Sequence, residues 1–259
     1  MNSIIVEIKN SVAYITLNRP EVFNSFNREM ALRLQETLDM CEADDDVRAI
    51  VLTGNGKAFC AGQDLKEVTS PELNPGFKKI LEEHYNPIIT RIRSIKKPVI
   101  GAINGVAAGA GANIAIACDI VVAHEKVSFI QAFSLIGLVP DSGGTFFLPR
   151  LIGFQRALAL AMLGDKISSE DAERMGMIYK VLPFEPFEEE VKQLALKLAG
   201  MPTKALGLIK ELFNTSMTND LEAQLALESK LQIRAAQTSD YAEGVDAFVS
   251  KRKPRFEGK

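Results

Sequence analysis

Asp141 is the residue in this sequence best placed to move a proton, within the run Gly137-Leu138-Val139-Pro140-Asp141-Ser142-Gly143-Gly144-Thr145. Phe133, Leu135, Leu138, Phe146 and Phe147 stand near it in the chain. A carboxylate facing such groups is desolvated, which raises its pKa toward that of a usable base. An aspartate just ahead of a helix also commonly caps it, and the local sequence leaves both roles open. Two small-residue turns supply complementary chemistry. In Gly105-Val106-Ala107-Ala108-Gly109-Ala110-Gly111-Ala112-Asn113, a glycine-rich helix start would aim backbone N–H groups and a positive dipole end at a developing anion. A helix packed closely on a sheet would need the same glycines. In Lys57-Ala58-Phe59-Cys60-Ala61-Gly62-Gln63-Asp64-Leu65, the small Ala61 and Gly62 let a ligand approach the backbone, and Asp64 can cap the next helix. On local grounds a plain strand-to-helix turn is the better reading of that segment.

Other chemistries find less support. A dinucleotide fingerprint would need a third glycine after Gly109 and Gly111, where Ile114 stands. His84 and His124 are far apart and share no metal-like spacing with Cys41, Cys60 or Cys118, so no metal site is expected. Ser142 lacks the G-x-S-x-G context of a nucleophile elbow. A net charge of -3 gives no drive toward nucleic acid or an anionic membrane. The longest apolar stretches, such as Ile114–Cys118, fall far short of the roughly 20 residues of a membrane span. Three cysteines cannot all pair, and Met1-Asn2-Ser3-Ile4 does not open a basic-then-apolar leader, so a cytoplasmic protein is expected. The basic run Lys251-Arg252-Lys253-Pro254-Arg255 reads as a solvated tail, able to meet phosphates.

The elements that must position these groups follow from periodicity. Ile4–Ile8 and Val12–Leu17 alternate around Lys9-Asn10-Ser11, predicting a strand pair. Asn27 precedes Met30, Leu34 and Leu38 at helical spacing. Strands are predicted at 49–52, 98–103 and 120–123, and helices at 77–95 and 110–117, which argues for α/β layering. After Pro183 the pattern turns helical, with breaks near Gly200-Met201-Pro202, Asn219-Asp220 and Ser239-Asp240.

Taken together and in order, these segments resemble the crotonase superfamily, the enoyl-CoA hydratase/isomerase family. The resemblance rests on Leu17-Asn18-Arg19-Pro20, Phe59–Leu65, Lys97–Ile100, Asn104–Gly109, Cys118-Asp119-Ile120, Gly137–Pro140, Gly143-Gly144-Thr145 and Glu243–Phe248 before Lys251-Arg252. It implies an α/β fold: a spiral of ββα units over residues 1–195, then a helical region over 196–259 that builds homotrimers, often paired into hexamers. It implies an acyl-CoA thioester substrate, with coenzyme A entering as part of it and no separate cofactor. The thioester oxygen would sit between the backbone N–H groups of Gln63 and Ala110. Lys57, Ala58, Ala61, Asp64 and Leu65 would fall along the CoA adenine and pantetheine. Gly109, Phe133 and Leu138 would line the acyl side. Phe248 and Lys251 would reach the CoA phosphates of a neighbouring subunit.

Departures from the pattern decide which reaction to expect. Hydratases of the family hold a water between two glutamates; Asn113 and Phe133 occupy those places here. Asn113 cannot act as a base, and Phe133 offers neither charge nor hydrogen bond. Asp141 remains, where isomerase branches carry Asp or Glu. One base suffices to move a double bond, so an isomerase is expected, acting on enoyl-CoA thioesters or on the ring-derived acyl groups that Phe133 would suit. The alternatives are a hydratase using Asp141 with a differently placed water, and a CoA-binding or assembly protein without turnover.

Overall fold

The structure is a computed structural model and describes residues 2–259. Strands β1 (Ile4–Lys9) and β2 (Val12–Leu17) form the expected antiparallel hairpin, Ile4 opposite Leu17. Helix α1 (Arg28–Ala43) follows, its Asn27 side chain accepting from the Met30 N–H at 3.0 Å. Met30, Leu34, Leu38 and Cys41 repeat at helical spacing and are fully buried. Truncating Leu34 to alanine would cost roughly 2–5 kcal/mol.

From β3 (Ala49–Gly54) the chain repeats one plan. A strand enters a large sheet, a short strand enters a smaller sheet, and helix returns the chain. The first turn is β3, β4 (Ala58–Cys60), α2 (Leu65–Thr69) and a long helical stretch. That stretch runs from α3 (Phe77–Lys79) through a π-turn at Ile80–Tyr85 into α4 (Asn86–Ser94). The second is β5 (Val99–Ile103), β6 (Val106–Ala108) and α5 (Ala110–Ala117). The third is β7 (Ile120–His124), β8 (Ser128–Ile130), α6 (Gly144–Ile152) and α7 (Phe154–Leu163). Then come β9 (Lys166–Ser168), α8 (Ser169–Arg174) and β10 (Lys180–Leu182). The large sheet runs β1-β2-β3-β5-β7-β10, parallel from β2 onward; the small one runs β4-β6-β8-β9. This is a spiral of ββα units.

The large sheet is covered on both faces, which is why Ala49-Ile50-Val51-Leu52 reads as an unbroken apolar run. Ile50 and Leu52 face the main core with α1 and α5, while Ala49 and Val51 face a second cluster. That cluster is closed by Phe187, Val191, Ala195 and Ala199 of α9 (Phe187–Ala199). The boundary expected at 195/196 therefore lies inside α9, whose packing joins it to the sheet. Beyond it run α10 (Thr203–Ser216), α11 (Leu221–Ala236) and α12 (Ser239–Val249), with breaks where the sequence placed them. Lys210 of α10 ties this region to the core: its buried ammonium donates to Asp119 Oδ2 at 2.7 Å and the Ile92 carbonyl at 2.6 Å. Phe213, Leu221, Ile233, Phe248 and Val249 stay exposed. Among the described residues no helix is long and apolar enough to cross a membrane.

Candidate active site

Two backbone donors come first. The turn after β4 is held by Phe26, whose N–H donates to the Gly62 carbonyl at 2.7 Å and whose carbonyl accepts from the Asp64 N–H at 2.8 Å. Gln63 lies between, and its own N–H finds no protein acceptor among the described residues. Gly62 sits at φ +95°, and a Cβ there would stand 3.1 Å from the Ala108 carbonyl oxygen and 3.6 Å from the Ala110 nitrogen. Only glycine allows both this backbone and this approach. Ala110 opens α5, so its N–H belongs to the unpaired first turn. The fold thus brings two free N–H groups from neighbouring turns of the spiral together.

Asp141 is decided by its contacts. Helix α6 is preceded by Gly143 and receives no side-chain cap, so the capping role open to Asp141 in the sequence is not the one it takes. Its half-buried carboxylate accepts from the Ser142 hydroxyl at 2.8 Å. Burial pushes its pKa above the ordinary carboxylate value, and the Ser142 hydrogen bond partly opposes the rise. Ser142 adopts φ +50°, a strained conformation for serine that places its hydroxyl beside its neighbour's carboxylate.

Asn113, one turn into α5 from Ala110, anchors the Asp141 backbone. Its Nδ2 donates to the Asp141 carbonyl at 2.9 Å, and its Oδ1 accepts from Gln131 Nε2 at 2.8 Å. Asn113 is completely buried and Gln131 nearly so, and Gln131 Oε1 has no partner among the described residues. One helix therefore carries an N–H donor and a strut for the acid. Phe133 is also buried; its ring edge lies 3.7 Å from where a Cβ on Gly109 would stand. Gly109 takes φ +53° there, so an apolar wall meets the backbone immediately before Ala110.

The remaining expected residues are distributed around this centre. Ala58 is buried beneath the turn, whereas Lys57, Ala61 and Leu65 are exposed along it. The Asp64 carboxylate is occupied: Oδ1 caps α2 through the Lys66 N–H at 3.0 Å, and Oδ2 pairs with Arg19 at 2.8 Å. Leu138 is partly exposed. Phe248 and Lys251 lie exposed at the end of α12, on a different part of the fold. No local pattern announces the buried set around Gln63. Tyr85 donates to Gln63 Oε1 at 2.9 Å, and Gln63 Nε2 donates to Glu67 Oε2 at 2.7 Å. Burial foremost, then the charges of Cys60, Asp141, Glu67 and Asp64, holds the Tyr85 phenol well above its ordinary pKa. Asp141 is thus within electrostatic reach of Tyr85. Its only sequence signal is a polar aromatic ahead of Asn86-Pro87.

The other titratable candidates have structural duties. His124 accepts from the Lys126 N–H at Nδ1, so its Nε2 donates to the Asn104 carbonyl at 2.9 Å. His84 contacts Arg28 at 3.0 Å, and burial lowers its pKa. All three thiols are free and buried, which pushes Cys41 up to about 11 and Cys60 and Cys118 up to about 12. They are poor nucleophiles.

Comparison with known proteins settles the family. The profile described as enoyl-CoA hydratase/isomerase matches residues 7–259. The chain belongs to the enoyl-CoA hydratase/isomerase family. Members of this family act on acyl-CoA thioesters. The chain is 47% identical to the 1,2-epoxyphenylacetyl-CoA isomerase of Escherichia coli K12, over 100% of both chains. It is 46% identical to a probable enoyl-CoA hydratase of Rhodobacter capsulatus, covering 98% of this chain and 97% of the relative. An enoyl-CoA hydratase of Bacillus anthracis superposes with TM-score 0.92 at 34% identity, covering 99% of this chain and 100% of that one. Relatives with both activities in their names match at nearly equal identity, so the local geometry must separate them.

Proposed function

We propose that this protein is an acyl-CoA isomerase in which Asp141 moves a proton while the Gln63 and Ala110 N–H groups hold the thioester enolate. The observation that carries this is the state of Asn113: both ends of its amide are consumed, by the Asp141 carbonyl and by Gln131. The place where a hydratase of the family keeps one water-holding glutamate is thus filled by a strut. The other is filled by the buried ring of Phe133. One carboxylate is left, raised in pKa by burial and free of capping duty.

With a 3-enoyl thioester the balance is simple. Asp141 takes a proton from C2, and the electron pair spreads over the thioester oxygen and C4. The protonated Asp141 then delivers the same proton to C4, leaving the 2-enoyl thioester. Nothing is oxidised and no water is consumed. Two backbone donors to the developing oxyanion would supply roughly 3–4 kcal/mol each. A raised carboxyl pKa helps Asp141 keep the proton between the steps. The relative named as an epoxyphenylacetyl-CoA isomerase and the Phe133 wall favour an acyl group bearing a ring. We further propose a homotrimer or dimer of trimers, in which Phe248 and Lys251 of a neighbouring copy complete the CoA site alongside Lys57, Ala61 and Leu65.

The test is incubation with a 3-enoyl-CoA in deuterated water for wild type and Asp141→Asn, the isomers separated by chromatography and any deuterium uptake read by mass spectrometry. Conversion to the 2-enoyl thioester that disappears in the variant is expected. Fast hydration of crotonyl-CoA without isomerisation would replace this reading with the hydratase one. Turnover undiminished in Asp141→Asn would remove Asp141 as the base.

A further inference from the structure

The proposed chemistry uses the backbone N–H of Gln63 and leaves its side chain without a task, yet that side chain is held at both ends. Tyr85 donates to Oε1 at 2.9 Å, and Nε2 donates to Glu67 Oε2 at 2.7 Å. The second carboxylate oxygen of Glu67 accepts from the Arg28 N–H at 2.8 Å. A phenol that donates on one side and a carboxylate that accepts on the other fix which way the amide points. Tyr85 is 1% exposed and Glu67 8%, and polar groups buried this deeply are costly unless paired. The Tyr85 ring meets Phe26 edge-on, centroids 5.9 Å apart. Phe26 is also the residue whose backbone brackets Gln63 through Gly62 and Asp64. Ring, hydroxyl, amide and backbone therefore close a loop around a single peptide plane. That plane adjoins Gly62, whose backbone torsions are otherwise soft. Tyr85 itself reaches the site from the end of the π-turn, an irregularity that often marks function.

We infer that Tyr85 and Glu67 are positioning residues that clamp the Gln63 side chain and so keep its N–H aimed at the thioester oxygen. The inference rests on the enolate reading above. Its test separates the two. The C=O stretch of bound hexanoyl-CoA, which cannot isomerise, is measured by difference infrared for wild type, Tyr85→Phe, Gln63→Ala and the double variant. kcat and KM for a 3-enoyl-CoA and the melting temperature accompany it.

In wild type the stretch moves to lower frequency than in free thioester, because two donors polarise the carbonyl. In Tyr85→Phe the shift shrinks and the band broadens. Gln63→Ala keeps the N–H and loses only the clamp, so it does the same. Each single variant loses about tenfold in kcat with KM little changed, equivalent to ~1.4 kcal/mol, the size of one net hydrogen bond. The double variant is no worse than either single one, since both break the same clamp. No shift in wild type would sink the enolate reading itself. A normal wild-type shift that survives in Tyr85→Phe, or additive losses in the double variant, would overturn the clamp and leave the function standing. Should Tyr85→Phe melt early, Gln63→Ala, whose side chain is only half-buried, still decides the matter.

Discussion

Replacing Asn113 by alanine is the perturbation that most directly tests how the acid is held. The variant removes the Nδ2 bond to the Asp141 carbonyl, which keeps only the Gly144 N–H at 2.9 Å. It also strips Gln131 Nε2 of its partner, and Gln131 Oε1 is already unpaired, so an entire buried amide is left unsatisfied. A lost hydrogen bond costs about 1 kcal/mol and a stranded buried donor about 1–3 kcal/mol, giving a destabilisation of about 3 kcal/mol. For a chain of this size that lowers the melting temperature by roughly 6–12 °C. The effect on rate is larger in proportion, because a base displaced by about 1 Å loses on the order of 100-fold in kcat. In the proposed binding mode the CoA portion does not touch Asn113, so KM should change little. Asn113→Asp sharpens the contrast: it still accepts from Gln131 but sets a carboxylate oxygen against the Asp141 carbonyl, and should be worse for activity than for folding. Steady-state kinetics on a 3-enoyl-CoA and a thermal melt measure both effects. An alanine variant with kcat within about twofold of wild type and a melting point within about 2 °C would refute the strut.

Other outcomes follow from the same geometry. Asp141→Asn should lose on the order of 100- to 10,000-fold in isomerisation, the usual weight of a general base. It should also melt higher than wild type at neutral pH. The sign follows from burial: the folded-state pKa of Asp141 lies above the unfolded one, so the charged form costs stability as pH rises through the folded pKa. Asparagine removes that cost, and the gain should vanish in acid below the unfolded pKa, where both side chains are neutral. Ser142→Ala should move the acid limb of kcat/KM to higher pH, because the hydroxyl bond favours the carboxylate; a limb that stays or falls would mean another group sets it. Asp64→Ala leaves the Arg19 guanidinium unpaired in a largely buried position and uncaps α2, a loss of about 3–5 kcal/mol by denaturant midpoint. A double Arg19→Met, Asp64→Leu variant should recover part of it.

Most of the large sheet was legible in the sequence, β1 and β2 by alternation and β3, β5 and β7 by apolar runs, whereas the three-residue β10 was not. Nor was the small sheet. Ala58–Cys60, Val106–Ala108 and Ser128–Ile130 are three residues each, too short for alternation, and the first two lie within runs that also read as turns. The chemistry divides in the same way. Asp141 stood out by its apolar setting, and the small residues at 61–62 and 109–111 by what they permit the backbone to do. The capping question could not be answered locally, since it turned on Gly143 entering α6 without a side-chain partner. The roles of Tyr85 and Gln131 were invisible because they come from contacts across the fold. Tyr85 meets a residue 22 positions away and Gln131 one 18 positions away. Nothing in periodicity or composition registers such pairs.

The three turns of the spiral assign the proposed tasks to separate lengths of chain. Gln63 follows the small-sheet strand of the first turn, Ala110 that of the second, and Asp141 comes from the third. In this reading, activation of the carbonyl and handling of the proton fall to separate stretches of chain. Changes within the third turn, matched at the residue that grips it, could exchange one proton itinerary for another without disturbing the proposed oxyanion cradle. The point of contact between them is Asn113, which belongs to the second turn and grips the third. A lineage changing its reaction on this scaffold would therefore have to alter that side chain together with the acid it supports. This makes position 113 the hinge on which the chemistry of the family member turns, even though it touches no reacting atom in the proposed mechanism.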